Sequence, residues 1–110
     1  IGFRRYKDVY IVDVQGDMDL YNAHELKDVI NKLIDKNITK IVINLEKVDY
    51  IDSSGVGALI HIFTSVKRNG YKLRIANVHG SVAKVIKLTK LMGYFPIVDD
   101  VKTALQELSV

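Results

Sequence analysis

The chain of 110 residues contains no cysteine and no tryptophan, and it has a single proline. Without cysteine it forms no disulfide and offers no thiolate, which weakly favours a reducing compartment. The three histidines, His24, His61 and His79, stand far apart and lack the spacing of a metal site. No apolar run approaches the ~18 residues that a membrane span needs. We therefore predict no metal site and no membrane association.

The charge of the chain is mildly basic, with a formal net charge of +3. Nucleic-acid-binding proteins usually cluster their basic residues and add aromatic stacking residues, whereas here lysine and arginine are spread along the sequence. The best cluster, Lys84, Lys87 and Lys90, falls on one face of a predicted helix. Such a cluster is most often a solvated helix face, and docking of an acidic partner is the less favoured interpretation. We predict no direct contact with nucleic acid.

Apolar residues in the first half of the chain follow both strand and helix periods. Two short strand-like segments flank Lys7-Asp8 and predict a hairpin with a tight turn. Asn22, with Glu25 three residues later, predicts the start of the next helix through a capping-box-like pair. The apolar positions of that helix recur at spacings of three and four residues and are Leu26, Val29, Ile30, Leu33 and Ile34.

The second half of the chain predicts further alternation of strands and helices. Ile41-Val42-Ile43 is typical of a strand covered on both faces. Because Pro96 cannot donate to a β-ladder, the strand around Ile97-Val98 is predicted to be short or at an edge. Asp99 or Asp100 is predicted to begin the last helix. The order β-β-α-β-α-β-α-β-α predicts one α/β domain over residues 1–110, with a mixed, mostly parallel central sheet of about five strands and about four helices.

The most informative segment is Asp52-Ser53-Ser54-Gly55-Val56-Gly57, which follows a strand-like run and opens a helix-like one. Ser53 is predicted to cap this helix, an interaction worth ~1 kcal/mol. Gly55 and Gly57 lie in the first turns, where each costs ~1 kcal/mol relative to alanine. Two such losses indicate that a bare backbone is needed there, for close strand packing or for an approaching partner. We therefore favour a functional turn over capping alone.

Known enzyme motifs do not fit this segment. It is not the G-x-S-x-G elbow of a hydrolase, and the chain has neither a P-loop nor a G-x-G-x-x-G fingerprint. Asp52 after a strand would suit an aspartate-phosphorylated receiver, but nothing near Pro96 supplies the lysine which that chemistry uses. A small hydrolase built on Ser53 stays as the last-ranked alternative, and it requires a histidine within hydrogen-bond reach of Ser53. No catalytic residue and no cofactor are predicted.

Ser53 is better placed to accept a phosphoryl group from another protein. The modification adds about −1.5 to −2 of charge, which is tolerated at a helix N-terminus because the helix dipole favours an anion there. We expect the fold to survive almost unchanged. If the loops meet at one end of the sheet, Asp52 and Asp19 would join the phosphate in a dense anionic patch. The switch would then act on binding.

These residues resemble the anti-sigma factor antagonist family, the STAS domains, over essentially the whole chain. The resemblance rests on the strand around Ile41-Val42-Ile43, the approach Val48-Asp49-Tyr50-Ile51 and the segment from Asp52 to Gly57. Gly16-Asp17-Met18-Asp19 resembles the G-x-x-D turn that the family has after its second strand. The resemblance implies a small cytoplasmic bacterial protein that is not an enzyme. Its unphosphorylated form binds a serine kinase that is also an anti-sigma factor, and so frees the sigma factor for transcription.

Transferred position by position, the resemblance makes Ser53 the phosphorylation site, and a separate phosphatase would restore the binding form. Asp52 matches the acidic neighbour of the acceptor, and Asp19 matches the acidic residue of the early loop. The partner-facing start of the helix corresponds to Ser54, Gly55, Val56 and Gly57. The alternative is a non-catalytic scaffold of the same fold, in a stress or transporter-type complex, that self-associates and leaves Ser53 unmodified.

Overall fold

Five strands and four helices alternate in the computed structural model, which describes residues 1–109. The strands are β1 (Gly2–Tyr6), β2 (Val9–Gln15), β3 (Lys40–Lys47), β4 (Lys72–Ala76) and β5 (Ile97–Val98). The helices are α1 (Leu20–Asp35), α2 (Ser53–Arg68), α3 (Gly80–Leu88) and α4 (Val101–Leu108). Within residues 1–109 no helix combines the length and the apolar character needed to span a membrane.

The sheet has the strand order β1-β2-β3-β4-β5, with β1 antiparallel to β2 and the remaining neighbours parallel. This arrangement confirms the predicted mixed, mostly parallel sheet. Tyr6 pairs with Val9 across the predicted hairpin turn, where Lys7 adopts a φ of 55°. Strand β5 has two residues and lies at the sheet edge, as the position of Pro96 predicted.

Helices cover the sheet on both faces, which is why β3 has a continuous apolar run. Val12 and Ile43 pack into the larger core, to which α1, α2 and α3 contribute. Ile11 and Val42 point to the opposite face and pack with Ala104 of α4. Successive residues of a strand alternate between the faces, so two cores require apolar residues at consecutive positions.

The predicted start of α1 is wrong. Asp19 caps the helix, because its carboxylate accepts hydrogen bonds from the backbone N–H groups of Tyr21 and Asn22, both at 3.0 Å. Asn22 therefore lies inside the first turn, and its side-chain amide donates to the Asp17 carbonyl instead. Asp100 caps α4 by accepting from the Thr103 N–H at 2.8 Å, which decides between the two aspartates considered for that helix.

A polar ladder crosses the sheet beside α4. The Arg4 guanidinium donates twice to the Asp13 carboxylate, at 2.7 and 2.8 Å. The side-chain amide of buried Asn44 donates to Asp13 at 2.8 Å, and Asn77 donates to the Asn44 carbonyl oxygen at 2.8 Å. Arg4 holds the pKa of the Asp13 carboxyl below its ordinary value, and Asn44 acts in the same direction against the effect of burial. The ladder ties β1 to the parallel part of the sheet.

We predict that Asp13→Asn lowers the free energy of unfolding near pH 7 by up to about 1 kcal/mol, because the bidentate pair with Arg4 is lost. The pKa of Asp13 is lower in the folded chain than in the unfolded chain. Ionised Asp13 therefore stabilises the fold at pH values above the ordinary aspartate pKa of about 3.9. This stabilisation disappears as the pH falls through the folded pKa. Urea unfolding at a series of pH values should show the variant and wild type converging in acid.

The matched control is Glu25→Gln, which removes an exposed carboxylate on α1 that takes no part in the ladder. Its unfolding free energy near neutral pH should equal that of wild type within about 0.5 kcal/mol. An Asp13→Asn deficit that stays constant down to the lowest pH would contradict the assigned role of the carboxylate.

Candidate functional site

Two loops meet at one edge of the sheet, because β2 and β3 are parallel neighbours and each is followed by a helix. Met18 forms a parallel bridge with Ile51. The Met18 N–H donates to the Tyr50 carbonyl at 2.8 Å, and the Asp52 N–H approaches the Met18 carbonyl at 3.4 Å. The starts of α1 and α2 are thereby held side by side, with Asp19 and Asp52 as their N-caps.

Gly55 is required by this contact between the loops. A Cβ at Gly55 would lie 2.6 Å from both the Met18 carbonyl oxygen and Cγ1 of Ile51, which is too close for any side chain. Gly57 is different, since a Cβ there would meet nothing within 4 Å. Close packing therefore explains the first glycine, whereas the second lies exposed on the surface.

The prediction that Ser53 caps α2 is wrong. Asp52 is the N-cap, and its carboxylate accepts from the Gly55 N–H at 3.0 Å. Ser53 is the first helical residue and is exposed. The cap preference is nearly equal for aspartate and serine, so sequence alone placed the helix start one residue late. Because the Asp52 carboxylate caps α2, the Ser53 hydroxyl is not needed to stabilise the helix start.

The predicted site residues differ in their exposure. Ser53 and Gly57 are exposed, and Asp19, Asp52 and Ser54 are half-buried. Gly55 and Val56 are buried, so they shape the turn from beneath its surface. Two further aspartates, Asp17 and Asp49, are exposed in the same two loops. Four aspartates therefore lie in the two loops beside Ser53, although the chain as a whole carries a net positive charge.

Several surface residues at this edge were missed by sequence reasoning. A groove of about 240 Å³ lies between α1 and α2. Leu20 and Tyr21, at the start of α1, are 65% and 83% exposed, and Tyr50 in the neighbouring loop is 49% exposed. The sequence did contain a signal for their exposure, because Leu20 and Tyr21 precede the apolar stripe of α1 and do not belong to it. The groove is lined by Leu20, Ala23, His24, Lys27, Ser54, Gly57 and Ala58.

The three histidines lie in different surroundings. Nε2 of His24 lies 3.4 Å from the Asp28 carboxylate, and Nε2 of His79 lies 2.8 Å from the Glu46 carbonyl oxygen. His61 is exposed more than two turns along α2. Among residues 1–109 no histidine hydrogen-bonds Ser53, so the contact that the hydrolase alternative requires is not present. The same residues contain no group of acidic and histidine side chains arranged to hold a metal ion.

The model of the STAS domain family matches residues 1–104, and this chain belongs to that family. An anti-sigma-B factor antagonist of Staphylococcus aureus is 30% identical to it over 82 residues, which are 74% of this chain and 76% of that protein. The match confirms the family resemblance that the segment around Ser53 indicates.

Solved structures confirm the fold. The crystal structure of a candidate anti-sigma factor antagonist from Thermotoga maritima has a TM-score of 0.90 at 26% identity, and the match covers 99% of this chain and 94% of that one. The Bacillus cell fate determinant SpoIIAA in its phosphorylated form has a TM-score of 0.75 at 19% identity, with 97% of each chain covered. Both matches cover nearly the whole of this chain and show that it shares their fold.

We predict opposite effects on stability for alanine substitutions at Gly55 and Gly57, which lie two residues apart in α2. Gly55→Ala should destabilise the protein by about 1–3 kcal/mol, because the added methyl group collides with the Met18 carbonyl and Ile51. Gly57→Ala should stabilise it by up to about 1 kcal/mol, because alanine is the better helix former and the space is open. Chemical denaturation of both variants measures the difference, and equal effects would contradict the assigned packing.

We predict that the cap resides in Asp52 and not in Ser53. Asp52→Ala should cost about 1 kcal/mol of unfolding free energy, whereas Asp52→Asn should cost little because asparagine caps almost as well. Ser53→Ala should stay within about 0.5 kcal/mol of wild type, as expected for an exposed residue without a structural contact. Thermal and urea unfolding of the three variants test this, and a larger loss for Ser53→Ala than for Asp52→Ala would reverse the assignment.

Proposed function

We propose that this protein is an anti-sigma factor antagonist controlled by phosphorylation of Ser53. Its unphosphorylated form binds an anti-sigma factor that is also a serine kinase, and binding frees the sigma factor. The observation that carries the proposal is the position of Ser53, an exposed hydroxyl at the first residue of a helix that Asp52 already caps. Such a hydroxyl is accessible to a kinase, and modifying it removes no structural hydrogen bond.

The helix start explains why phosphorylation would leave the fold intact. The first backbone N–H groups of a helix have no partner within the helix, and the dipole places partial positive charge there. A phosphate on Ser53 would meet this favourable field at the beginning of α2. The Gly55 contact that joins the two loops lies on the buried side of the turn, so the phosphate does not disturb it.

The surroundings of Ser53 explain why binding would change. Asp52 and Asp19 already make the rim acidic, and exposed Leu20 and Tyr21 beside it offer apolar contact area. A partner that covers this edge would desolvate the helix start and its carboxylates. Adding about −1.5 to −2 of charge at Ser53 would raise the cost of that desolvation. The partner-binding residues proposed from the sequence are Asp19, Asp52, Ser54, Gly55, Val56 and Gly57, of which Gly55 and Val56 act by shaping the turn.

The proposed cycle assigns all chemistry to other proteins. The kinase supplies the phosphoryl group from ATP, a separate phosphatase removes it, and this chain acts in the cytoplasm as a binding module without catalysis. Support comes from the S. aureus relative, whose name states antagonism of an anti-sigma factor, and from SpoIIAA, which exists in a phosphorylated form.

We predict that incubation with ATP and a soluble extract of the source organism adds one phosphoryl group to the wild-type chain. Ser53→Ala should remain unmodified, because it lacks the acceptor, whereas Ser54→Ala keeps the acceptor and should still be modified on Ser53. Intact and peptide mass analysis identifies the modified residue. Ser54→Ala is the matched control, since it removes the adjacent hydroxyl, which is less exposed.

Three outcomes would contradict the proposal. An unmodified wild-type chain, in an extract shown to phosphorylate other proteins, would favour the scaffold alternative, and stable self-association in light scattering would then support it. Modification that persists in Ser53→Ala would place the acceptor elsewhere. If the purified chain phosphorylated on Ser53 still bound the kinase, phosphorylation would not act as the proposed switch.

A further inference from the structure

A second groove lies far from Ser53, between β1 and the C-terminal half of α1. Its volume is about 410 Å³. It is lined by Phe3, Tyr10, Val29, Lys32, Leu33 and Lys36. The predicted and proposed functions use none of these residues, so the groove requires an explanation of its own.

The groove is open because the sheet extends beyond the helix that covers it. All five residues of β1 are exposed, and the Phe3 side chain is 55% exposed. Phe3 pairs with Val12 and Arg5 pairs with Tyr10, so Phe3 and Arg5 lie on the face of the sheet that carries α1. An aromatic side chain is thus presented on a floor that includes Tyr10 and Leu33.

Cations surround this apolar floor. Lys32 and Lys36 contribute to the α1 side of the groove, and both are exposed. The Arg5 guanidinium lies over the Tyr10 ring, 5.7 Å from its centroid, at the β1 side. Among residues 1–109 none of these three cations forms a salt bridge, whereas Arg4 and Lys40 nearby are paired with Asp13 and Asp8. The charge that would complement this groove must come from its occupant.

We propose that the groove docks an acidic, apolar segment of a partner protein. Apolar side chains of the segment would cover exposed Phe3 and half-buried Tyr10, and its carboxylates would meet Lys32, Lys36 and Arg5. A second copy docking through the same groove is a poor occupant, because two such surfaces would bring like charges together. Helix α4 does not reach the groove either, since it packs on the opposite face of the sheet.

The groove is independent of the proposed switch. Lys32 lies 13 positions after Asp19 along α1, so at 1.5 Å per residue the two sites are roughly 20 Å apart. A segment docked beside Lys32 and Lys36 leaves the Ser53 edge uncovered. The protein would therefore hold two partners at once, and the second interaction would not depend on the phosphorylation of Ser53.

The test uses NMR titration of the isotope-labelled protein with a synthetic peptide in which Asp and Glu alternate with Leu and Phe. We expect amide shifts to concentrate at β1 and at the last turns of α1. Lys32→Glu/Lys36→Glu should weaken binding about tenfold or more, because two attractions become repulsions. Phe3→Ser should also weaken it several-fold. These residues are exposed, and the amide spectrum of each variant reports whether it is folded.

The matched control is Lys84→Glu/Lys87→Glu, which changes the net charge equally at exposed positions on α3. It should keep the affinity within about twofold, as should Ser53→Asp. A peptide with Lys in place of Asp and Glu should not bind. Equal weakening by both double variants, shifts centred away from the groove, or no binding of the acidic peptide would overturn the proposal. Shifts produced by sodium laurate but not by the peptide would overturn it too, and would assign the groove to a free acyl chain.

Discussion

The close contact of Gly55 with the Met18 carbonyl and Ile51 is the constraint on which the candidate site depends. It allows the loop after β2 to lie directly on the loop after β3. Two helices can then begin side by side, each capped by an aspartate. Any side chain at position 55 would push the loops apart and separate the two helix starts. The local geometry around Ser53 is therefore a product of packing beneath the surface.

The same arrangement separates the structural roles from the proposed regulatory one within four residues. Asp52 holds the helix, Gly55 holds the loops together, and Ser53 between them does neither. A residue without a structural role can be modified and restored repeatedly without unfolding its surroundings. Control by phosphorylation at this position would act through the partner's access to the surface, since the field of the helix accommodates the added charge.

Much of this architecture could be predicted from sequence because periodicity reports burial directly. The two-sided burial of Val42 and its neighbours and the edge position of β5 follow from residue types alone. Helix starts were less certain, because serine, asparagine and aspartate cap with similar strength and tertiary contacts choose between them. The bridge between Met18 and Ile51 places Asp19 and Asp52 at the starts of their helices. This bridge joins residues more than thirty positions apart, so no local pattern in the sequence reveals it. The two grooves could not be predicted from the sequence for the same reason, since each combines residues from distant segments.

The parallel sheet also sorts the charges of the protein. Aspartates such as Asp19, Asp52 and Asp100 follow the carboxyl ends of the strands, where they cap helices. Lysines such as Lys32 and Lys67 occupy the last turns of the helices at the opposite edge. These residues contribute a dipole along the strands despite the modest net charge. The field of a charged partner exerts a torque on this dipole and turns the protein before contact. Encounters then begin with one edge already facing the partner, and this bias is lost as salt screens the field.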